Sequence, residues 1–270
     1  MTHLGWLTVA CYAASFACYA RFLYAPNPWL GRLATALLAG EIVAEYFVLL
    51  ERSHGMHAVP YDDLYGSMSL FAWLLGVTYL GLETFHRQRS VGAFVTLLLA
   101  VWMTLLETLV PRTAPPLPPA RGPLFAFHVT LNTWAYAAFA LSFVLSVVYL
   151  LQDRILRLRH PGAAFWRFPA LDVLERMARS SVYIGLAALT AGATMGLIWA
   201  HRLMGSYTLS DPKVMVTFAI LVVYAAYLLI SRSARWRGAR AAALCAANFG
   251  FVLFSYTLVN LYLTKFHRFL

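Results

Sequence analysis

Charged residues are scarce in this sequence. Asp, Glu, Lys and Arg make up 12% of its 270 residues, whereas 61% are hydrophobic and the mean hydropathy is +0.67. Soluble domains are roughly half apolar and about a quarter charged. The shortage of charge therefore excludes a soluble globular domain and predicts a polytopic protein that is embedded in a lipid bilayer.

Acidic residues are the rarer of the charged types, with 11 Asp and Glu against 21 Lys and Arg. A net charge of +10 in a soluble chain would suggest binding to nucleic acid. Here the arginines cluster in the connections between apolar runs, where basic residues set the orientation of a membrane protein. No nucleic-acid partner is expected.

Cysteine is also scarce, and its spacing excludes two kinds of chemistry. Cys11, Cys18 and Cys245 fall inside apolar runs and form no CxxC arrangement. A disulfide relay and covalent haem attachment through CxxCH are therefore not encoded in this chain. The three cysteines are interpreted as small apolar core residues.

Eight apolar runs are long enough to cross about 30 Å of hydrocarbon, which takes roughly 20 helical residues each. They cover approximately residues 4–24, 31–51, 65–83, 91–110, 124–151, 182–200, 213–231 and 240–263. An open sheet would leave backbone groups unpaired in lipid, so the predicted fold is an all-α bundle of about eight transmembrane helices. Nothing indicates a second domain, and residues 1–270 are expected to form one unit.

Basic residues are distributed unevenly between the two sides of the predicted bundle. The odd-numbered connections carry 14 of the 21 Lys and Arg residues. By the positive-inside rule these connections are cytoplasmic, so both termini and the loop at 201–212 are expected outside the cytoplasm. The basic connection at 152–181 contains LDVLERMAR, which is predicted to lie as an amphipathic segment along the inner leaflet. The proline-rich stretch 111–123 is predicted to be a stiff outward linker.

None of the eight histidines lies in the middle of a predicted span. Six are expected on the outer side and two on the cytoplasmic side: His3, His54, His57, His128, His201 and His267, then His86 and His160. Imidazoles at facing helix ends can ligate haem iron from both sides. From spacing alone, a histidine at a helix end is more often an ordinary interfacial residue, and both interpretations remain open.

Three stretches together resemble a known membrane family. They read YDDLYGSMSLFAW from 61, GLIWAHRLMGSYTLSDPKVMVTFAILVVYAAYLL from 196 and FSYTLVNLYLTKFHRF from 254. The chain resembles the membrane-integral cytochrome c assembly family of CcsA, CcmC and HemX types, over about residues 60–269. Its eight-span size is most similar to the short HemX-like branch. The first two spans match only in length and polarity.

The resemblance implies a haem site at the outer face. His128 and His267 resemble the family's iron-ligand positions, which implies bound haem b, held stably or transiently. Trp199, His201, Tyr207 and Asp211 belong to the loop that would cover one porphyrin edge. One or more of three cations is expected to pair with the haem propionates: Arg202, Lys213 or Arg121. The implied partners are an apocytochrome c and another membrane assembly subunit.

The family's tryptophan-rich loop reads approximately G-x-Y-W-x-W-D-P-K-E, and this chain departs from it. Residues 205–214 read GSYTLSDPKV, so both core tryptophans and the final glutamate are replaced. The change removes aromatic walls that would stack on a porphyrin and implies at most part of a haem lyase system. The Asp-Pro-Lys turn remains, and Asp211 is predicted to cap the seventh helix with Pro212 in its first turn.

Glu41 and Glu45 form an acid pair near the middle of the second span. Two carboxylates one helical turn apart would cost several kcal/mol if ionised in lipid, so both are expected to face the bundle interior. One interpretation is a shared proton used in proton transfer or a polar cavity. The other is a structural pair that is hydrogen-bonded to hydroxyl groups of neighbouring spans.

Three functions are therefore compatible with the sequence. The first is a haem-binding protein of cytochrome c assembly that presents haem outside to a partner. The second is a haem-free accessory or regulatory subunit of the same family, which the altered loop allows. The third is a small proton-coupled transporter that uses Glu41 and Glu45, although no inverted repeat or broken helix is evident.

Overall fold

Eight α-helices follow one another along the part of the chain that the structure describes. The computed structural model describes residues 2–56, 63–111, 122–158, 168–205 and 211–258. The helices are α1 Thr2–Tyr24, α2 Pro28–Met56, α3 Leu64–His86, α4 Gly92–Leu109, α5 Gly122–Arg157, α6 Leu171–Met204, α7 Pro212–Ile230 and α8 Ala239–Leu258. No strand occurs in these described ranges. The predicted all-helical class is confirmed.

Seven of these helices are long and apolar enough to cross a membrane, and α8 adds a shorter apolar stretch, Ala239–Ser255. Predicted and observed ends differ by a few residues in most cases, as expected where the amphipathic first and last turns extend beyond the hydrocarbon. The chain therefore has the helices of a multi-pass membrane protein.

The predicted separate segment on the inner leaflet is wrong. LDVLERMAR forms the first turns of α6, which continues without interruption to Met204. Its apolar residues Leu174 and Met177 are fully buried in the protein core, and Leu174 lies beside Tyr149 of α5. Their helical spacing therefore reflects packing against other helices. The prediction failed because an apolar stripe on a helix can face either a bilayer surface or a neighbouring helix.

The bundle is divided here into an N-terminal half, α1–α4, and a C-terminal half, α5–α8. In the N-terminal half α1 packs against α2 and α4, and α3 packs against α2, α4 and α5. In the C-terminal half α5 packs along α6 and also contacts α8. The Trp134 indole donates a hydrogen bond to the Thr78 hydroxyl at 2.9 Å and so joins α5 to α3.

Local sequence signals explain several helix ends. The Asp63 carboxylate accepts from the Gly66 backbone N–H and caps α3. The Asp211 carboxylate accepts from the Lys213 N–H at 2.8 Å with Pro212 in the first turn, so the predicted cap of α7 is confirmed. α6 ends at Gly205, whose φ of 69° is a left-handed conformation that glycine adopts without strain.

Because sequential helices run antiparallel, the bundle has two distinct ends. The end called here the His128 end contains the start of α5, the start of α3 and the end of α6. The opposite end, called the Arg89 end, contains Arg89 and the hydrogen bond of 3.0 Å between the His86 imidazole and the Ser180 hydroxyl. The candidate haem residues that the structure describes lie at the His128 end.

Candidate functional site

His128 lies in the second turn of α5 with its imidazole against α6. The contact is close because residue 196 is glycine: a Cβ built there would lie 2.4 Å from both Cε1 and Nδ1 of the imidazole. Real side chains do not approach so closely. Gly196 therefore provides the space in which the half-buried ring sits.

The hydrogen bonds of His128 determine which ring nitrogen has a free lone pair. Nδ1 lies 2.7 Å from the carbonyl oxygen of Gly192, and a carbonyl only accepts, so Nδ1 carries the proton and donates. The Asn132 amide lies 3.1 Å from Nδ1 and donates to the His128 carbonyl at 2.6 Å. In the neutral ring Nε2 then holds the lone pair, which is the arrangement of a metal-ligating histidine.

Aromatic rings continue from His128 towards the end of α6. The Phe125 ring centroid lies 6.5 Å from that of His128 and 5.0 Å from that of Trp199. Phe125 is buried and Trp199 half-buried. The structure thus brings the predicted residues His128 and Trp199 to one place, with Phe125 between them, a residue that sequence reasoning did not select.

The predicted cations and loop residues have different positions. His201 and Arg202 are exposed in the last turn of α6, beyond Trp199. Asp211 and Lys213 are half-buried at the start of α7, at the same end of the bundle. His267, Arg121 and Tyr207 lie outside the described residues, and their roles stay predictions.

The described residues at the His128 end fit a haem group in their chemistry. A neutral imidazole with Nδ1 hydrogen-bonded to a backbone carbonyl is an ordinary axial ligand for haem iron. Phe125 and Trp199 supply aromatic surface, and Arg202 and Lys213 supply positive charge for carboxylates. Gly192 and Gly196 were missed in the sequence because their roles depend on contacts with His128 from another helix, 64 and 68 residues away along the chain. Asn132, one helical turn after His128 on α5, was also not selected.

Glu41 and Glu45 of α2 are 1% and 0% exposed, so the expectation that they face the interior is confirmed. Glu45 accepts hydrogen bonds from the Tyr12 hydroxyl at 2.9 Å and the Ser69 hydroxyl at 3.0 Å. Neither carboxylate oxygen of Glu41 has a hydrogen-bond partner in the described part of the chain. The structural interpretation therefore applies to Glu45 but not to Glu41.

A further buried carboxylate, Glu83 of α3, was not singled out in the sequence. It is 2% exposed and accepts from Tyr19 at 2.6 Å, Tyr79 at 2.7 Å and Thr35 at 2.5 Å. The Nε atom of Arg89 lies 3.6 Å from Oε1 of Glu83, the carboxylate oxygen that accepts from Thr35. Glu83 lies at the end of a predicted span beside basic residues, where a carboxylate is usually solvated. In the sequence, Tyr79 could have indicated this role, because a tyrosine one helical turn before a glutamate can donate a hydrogen bond to its carboxylate.

Two pairs of polar side chains also lie at the His128 end of the N-terminal half. Glu107 of α4 is half-buried and accepts from the Tyr65 hydroxyl at 2.5 Å. The Arg52 guanidinium forms an ion pair with Asp63 and lies 4.9 Å from the Tyr65 ring centroid. These contacts compensate Glu107 and Asp63 without reaching the Glu41 oxygens.

Comparison with known proteins identifies the family. Residues 61–267, from α3 onward, match the family described as Cytochrome C assembly protein. The chain belongs to this family. It is 28% identical over 237 residues to Protein HemX of Brevibacillus brevis, covering 84% of this chain and 85% of that one. It is a multi-pass inner-membrane protein.

Two other relatives support the same assignment. Protein HemX of Bacillus subtilis (strain 168) is 27% identical over 272 residues, covering 100% of this chain and 98% of that protein. The cytochrome c biogenesis protein CcsA of Synechococcus sp. (strain CC9902) is 27% identical over 254 residues, covering 85% and 81%. The predicted resemblance to the HemX and CcsA types is confirmed, while α1 and α2 precede the family match.

Proposed function

We propose that this protein is an integral membrane haem-binding protein of cytochrome c assembly, which presents haem b at the outer membrane face to a partner. A membrane role in cytochrome c assembly follows from its family. The observation that carries the finer proposal is the hydrogen bond from His128 Nδ1 to the Gly192 carbonyl, 2.7 Å long. It holds the imidazole in the tautomer that coordinates iron through Nε2.

The other residues at the His128 end have supporting roles in this proposal. His267 would supply a second imidazole ligand. Phe125 and Trp199 would provide aromatic surface for the porphyrin, and Arg202, Lys213 or Arg121 would pair with its propionates. His201, Tyr207 and Asp211 belong to the connection that covers one edge. Haem supplies the iron and the reactive vinyl groups, whereas this chain binds and orients it.

The partners follow from what the chain lacks. It has no CxxCH sequence, and its three cysteines lie in helices. The thiols that form a covalent cytochrome c therefore belong to an apocytochrome. A second membrane assembly subunit would supply the aromatic surface that Thr208 and Ser210 no longer provide.

Orientation is part of the proposal, and it rests on the 14 of 21 basic residues in the odd-numbered connections. The His128 end then faces outward. A reporter that is active only outside the cytoplasm should be active after Leu270 or when inserted near Pro118. The same reporter should be silent near Gly162, and the reverse pattern would contradict an outward haem site.

Visible spectroscopy of purified protein tests the ligand assignment. Bis-imidazole haem is low-spin, with a sharp Soret band and resolved α and β bands on reduction. We expect substoichiometric b-type haem in the wild type. His128→Ala or His267→Ala should lower its content or convert it to a high-spin form, because each opens a coordination position.

The matched control is His86→Ala, which loses one hydrogen bond at the opposite end of the bundle and should leave the spectrum unchanged. Haem that is indifferent to both ligand substitutions would contradict the assignment and make His201 the next residue to test. Wild-type protein that carries no haem and cannot be reconstituted would contradict haem binding altogether.

That last outcome would favour a haem-free accessory or regulatory subunit of the same family. The specific observation behind this second candidate is the replacement of the two loop tryptophans by Thr208 and Ser210. Such a subunit would keep the fold and lose the cofactor. Copurification with other assembly proteins in the absence of a Soret band would support it.

A further inference from the structure

The Glu41–Glu45 pair differs from the other buried carboxylate of the bundle in what surrounds it. Glu83 accepts from three hydroxyl groups and lies near the Arg89 guanidinium, so its negative charge is compensated. Among the described residues, Glu45 has two hydroxyl donors and no ion pair with a cation, and Glu41 has no hydrogen-bond partner.

The groups that face the pair come from three neighbouring helices. α1 contributes Tyr12 and Cys11, and α3 contributes Ser69. α4 contributes the Glu107 carboxylate, which interacts with Glu45 and adds negative charge. None of these groups is cationic.

The nearest candidate cations are already engaged. Arg52, two turns beyond Glu45 on α2, pairs with Asp63. Arg89 lies beside Glu83 at the other end of the bundle. Two ionised carboxylates without a compensating cation are strongly unfavourable in the membrane interior. One bound proton removes the repulsion, because the protonated acid becomes a donor that can share its hydrogen with the second carboxylate.

We propose that Glu41 and Glu45 form a reversible proton-binding site inside the membrane, with Glu41 carrying the proton and sharing it with Glu45. Glu107, towards the His128 end, interacts electrostatically with Glu45 and accepts a hydrogen bond from the Tyr65 hydroxyl. The ligand is a proton, so no bond other than O–H forms or breaks.

This site is separate from haem binding. Both carboxylates lie on α2, before the residues that match the family, and His128 lies in the other half of the bundle. Proton binding can therefore be measured on protein without haem. Failure of one proposal would leave the other standing.

Labelling with dicyclohexylcarbodiimide tests the site in the wild-type protein. A protonated carboxyl in an apolar site gives its proton to a carbodiimide nitrogen, while its oxygen bonds to the central carbon; the adduct rearranges to a stable N-acylurea without oxidation or reduction. Peptide mass spectrometry should find the label on Glu41 and none on Glu83. The labelled fraction should fall as the pH rises.

Matched variants on the same helix sharpen the experiment. Glu41→Gln should abolish labelling, whereas Glu51→Gln should leave it unchanged because Glu51 is exposed on α2. Infrared spectroscopy of the wild type gives a second measurement that needs no variant. It should show a protonated carboxyl C=O band near neutral pH, which shifts in heavy water.

Three outcomes would overturn the proposal. The first is an absence of both the label and the carboxyl band at neutral and mildly acidic pH. The second is a label that persists in full after Glu41→Gln. The third is protection from labelling by sodium ions at constant pH, since that would make the pair a metal-cation site.

Discussion

The two halves of the bundle use different chemistry in their interiors. The N-terminal half contains the buried carboxylates Glu41, Glu45 and Glu83. In the described part of the C-terminal half the buried polar residues are uncharged: Ser142, Ser146, Gln152, Ser181, Ser231, Asn248 and Ser255. The half-buried His128 fits this second pattern as a neutral ring with a free lone pair. One half is thus suited to holding charge or a proton, and the other to a neutral ligand for a metal.

The difference also concerns how completely each group is satisfied. His128 and Glu83 are fixed by hydrogen bonds from or to neighbouring helices. Glu41 is not. A fully bonded buried group holds one geometry, whereas an incompletely bonded acid can gain and lose a proton with little rearrangement. Substitutions at hydrogen-bonded and at incompletely bonded buried groups should therefore differ greatly in how much they lower the free energy of unfolding.

The largest effect is expected for Glu83→Ala. The change removes the carboxylate that accepts from the Tyr19, Tyr79 and Thr35 hydroxyls and that compensates the charge of the Arg89 guanidinium. Removing one partner of a buried charged network costs about 3–5 kcal/mol. The free energy of unfolding can be measured in mixed micelles by tryptophan fluorescence, with the exposed Glu51→Ala as control. Equal stability of the two variants would contradict a structural role for Glu83.

A smaller effect is expected for Gly196→Ala. The added Cβ would lie 2.4 Å from the His128 ring, so the ring must move, and such overpacking costs about 1–3 kcal/mol. Haem content should fall together with stability if His128 is a ligand. Gly250→Ala on α8 is the control, because nothing lies within 4 Å of its Cβ position. Normal haem content in Gly196→Ala would show that haem binding does not depend on the close contact between Gly196 and His128.

The smallest effect is expected for Glu41→Gln. Glutamine keeps the volume of glutamate and can donate to Glu45 through its amide, as the protonated acid does. No described hydrogen bond of Glu41 is lost. The free energy of unfolding should therefore change by less than the change of about 1–3 kcal/mol expected for Gly196→Ala. A loss as large as that of Glu83→Ala would show that Glu41 is an essential part of a charged network.

Local signals allowed much of the fold to be predicted. Apolar runs of membrane length predicted the eight helices, and the Asp211-Pro212-Lys213 sequence predicted the cap of α7. The burial of Glu41 and Glu45 followed from the cost of charge in lipid. Each of these depends on residues that are close together in the chain.

The rest depends on contacts between distant helices. The ring nitrogen that His128 exposes is set by a carbonyl 64 residues away, and the role of Glu83 is set by Tyr19, also 64 residues away. The spacing of LDVLERMAR was compatible with a bilayer surface or a neighbouring helix, and only the three-dimensional packing distinguished the two. Hydropathy records that a face is apolar but does not identify its neighbour.

The paired helices α5 and α6 have a mechanical consequence. They contain 36 and 34 residues, so they are about 54 and 51 Å long at 1.5 Å per residue, against about 30 Å of hydrocarbon. Proline occurs only at position 123 in the two sequences, at the start of α5, so neither helix has a proline hinge along its length. His128 of α5 lies against Gly196 of α6 at one end, and Tyr149 and Leu174 line one small cavity nearer the other end. Two continuous helices therefore connect the Arg89 end of the bundle to the His128 end.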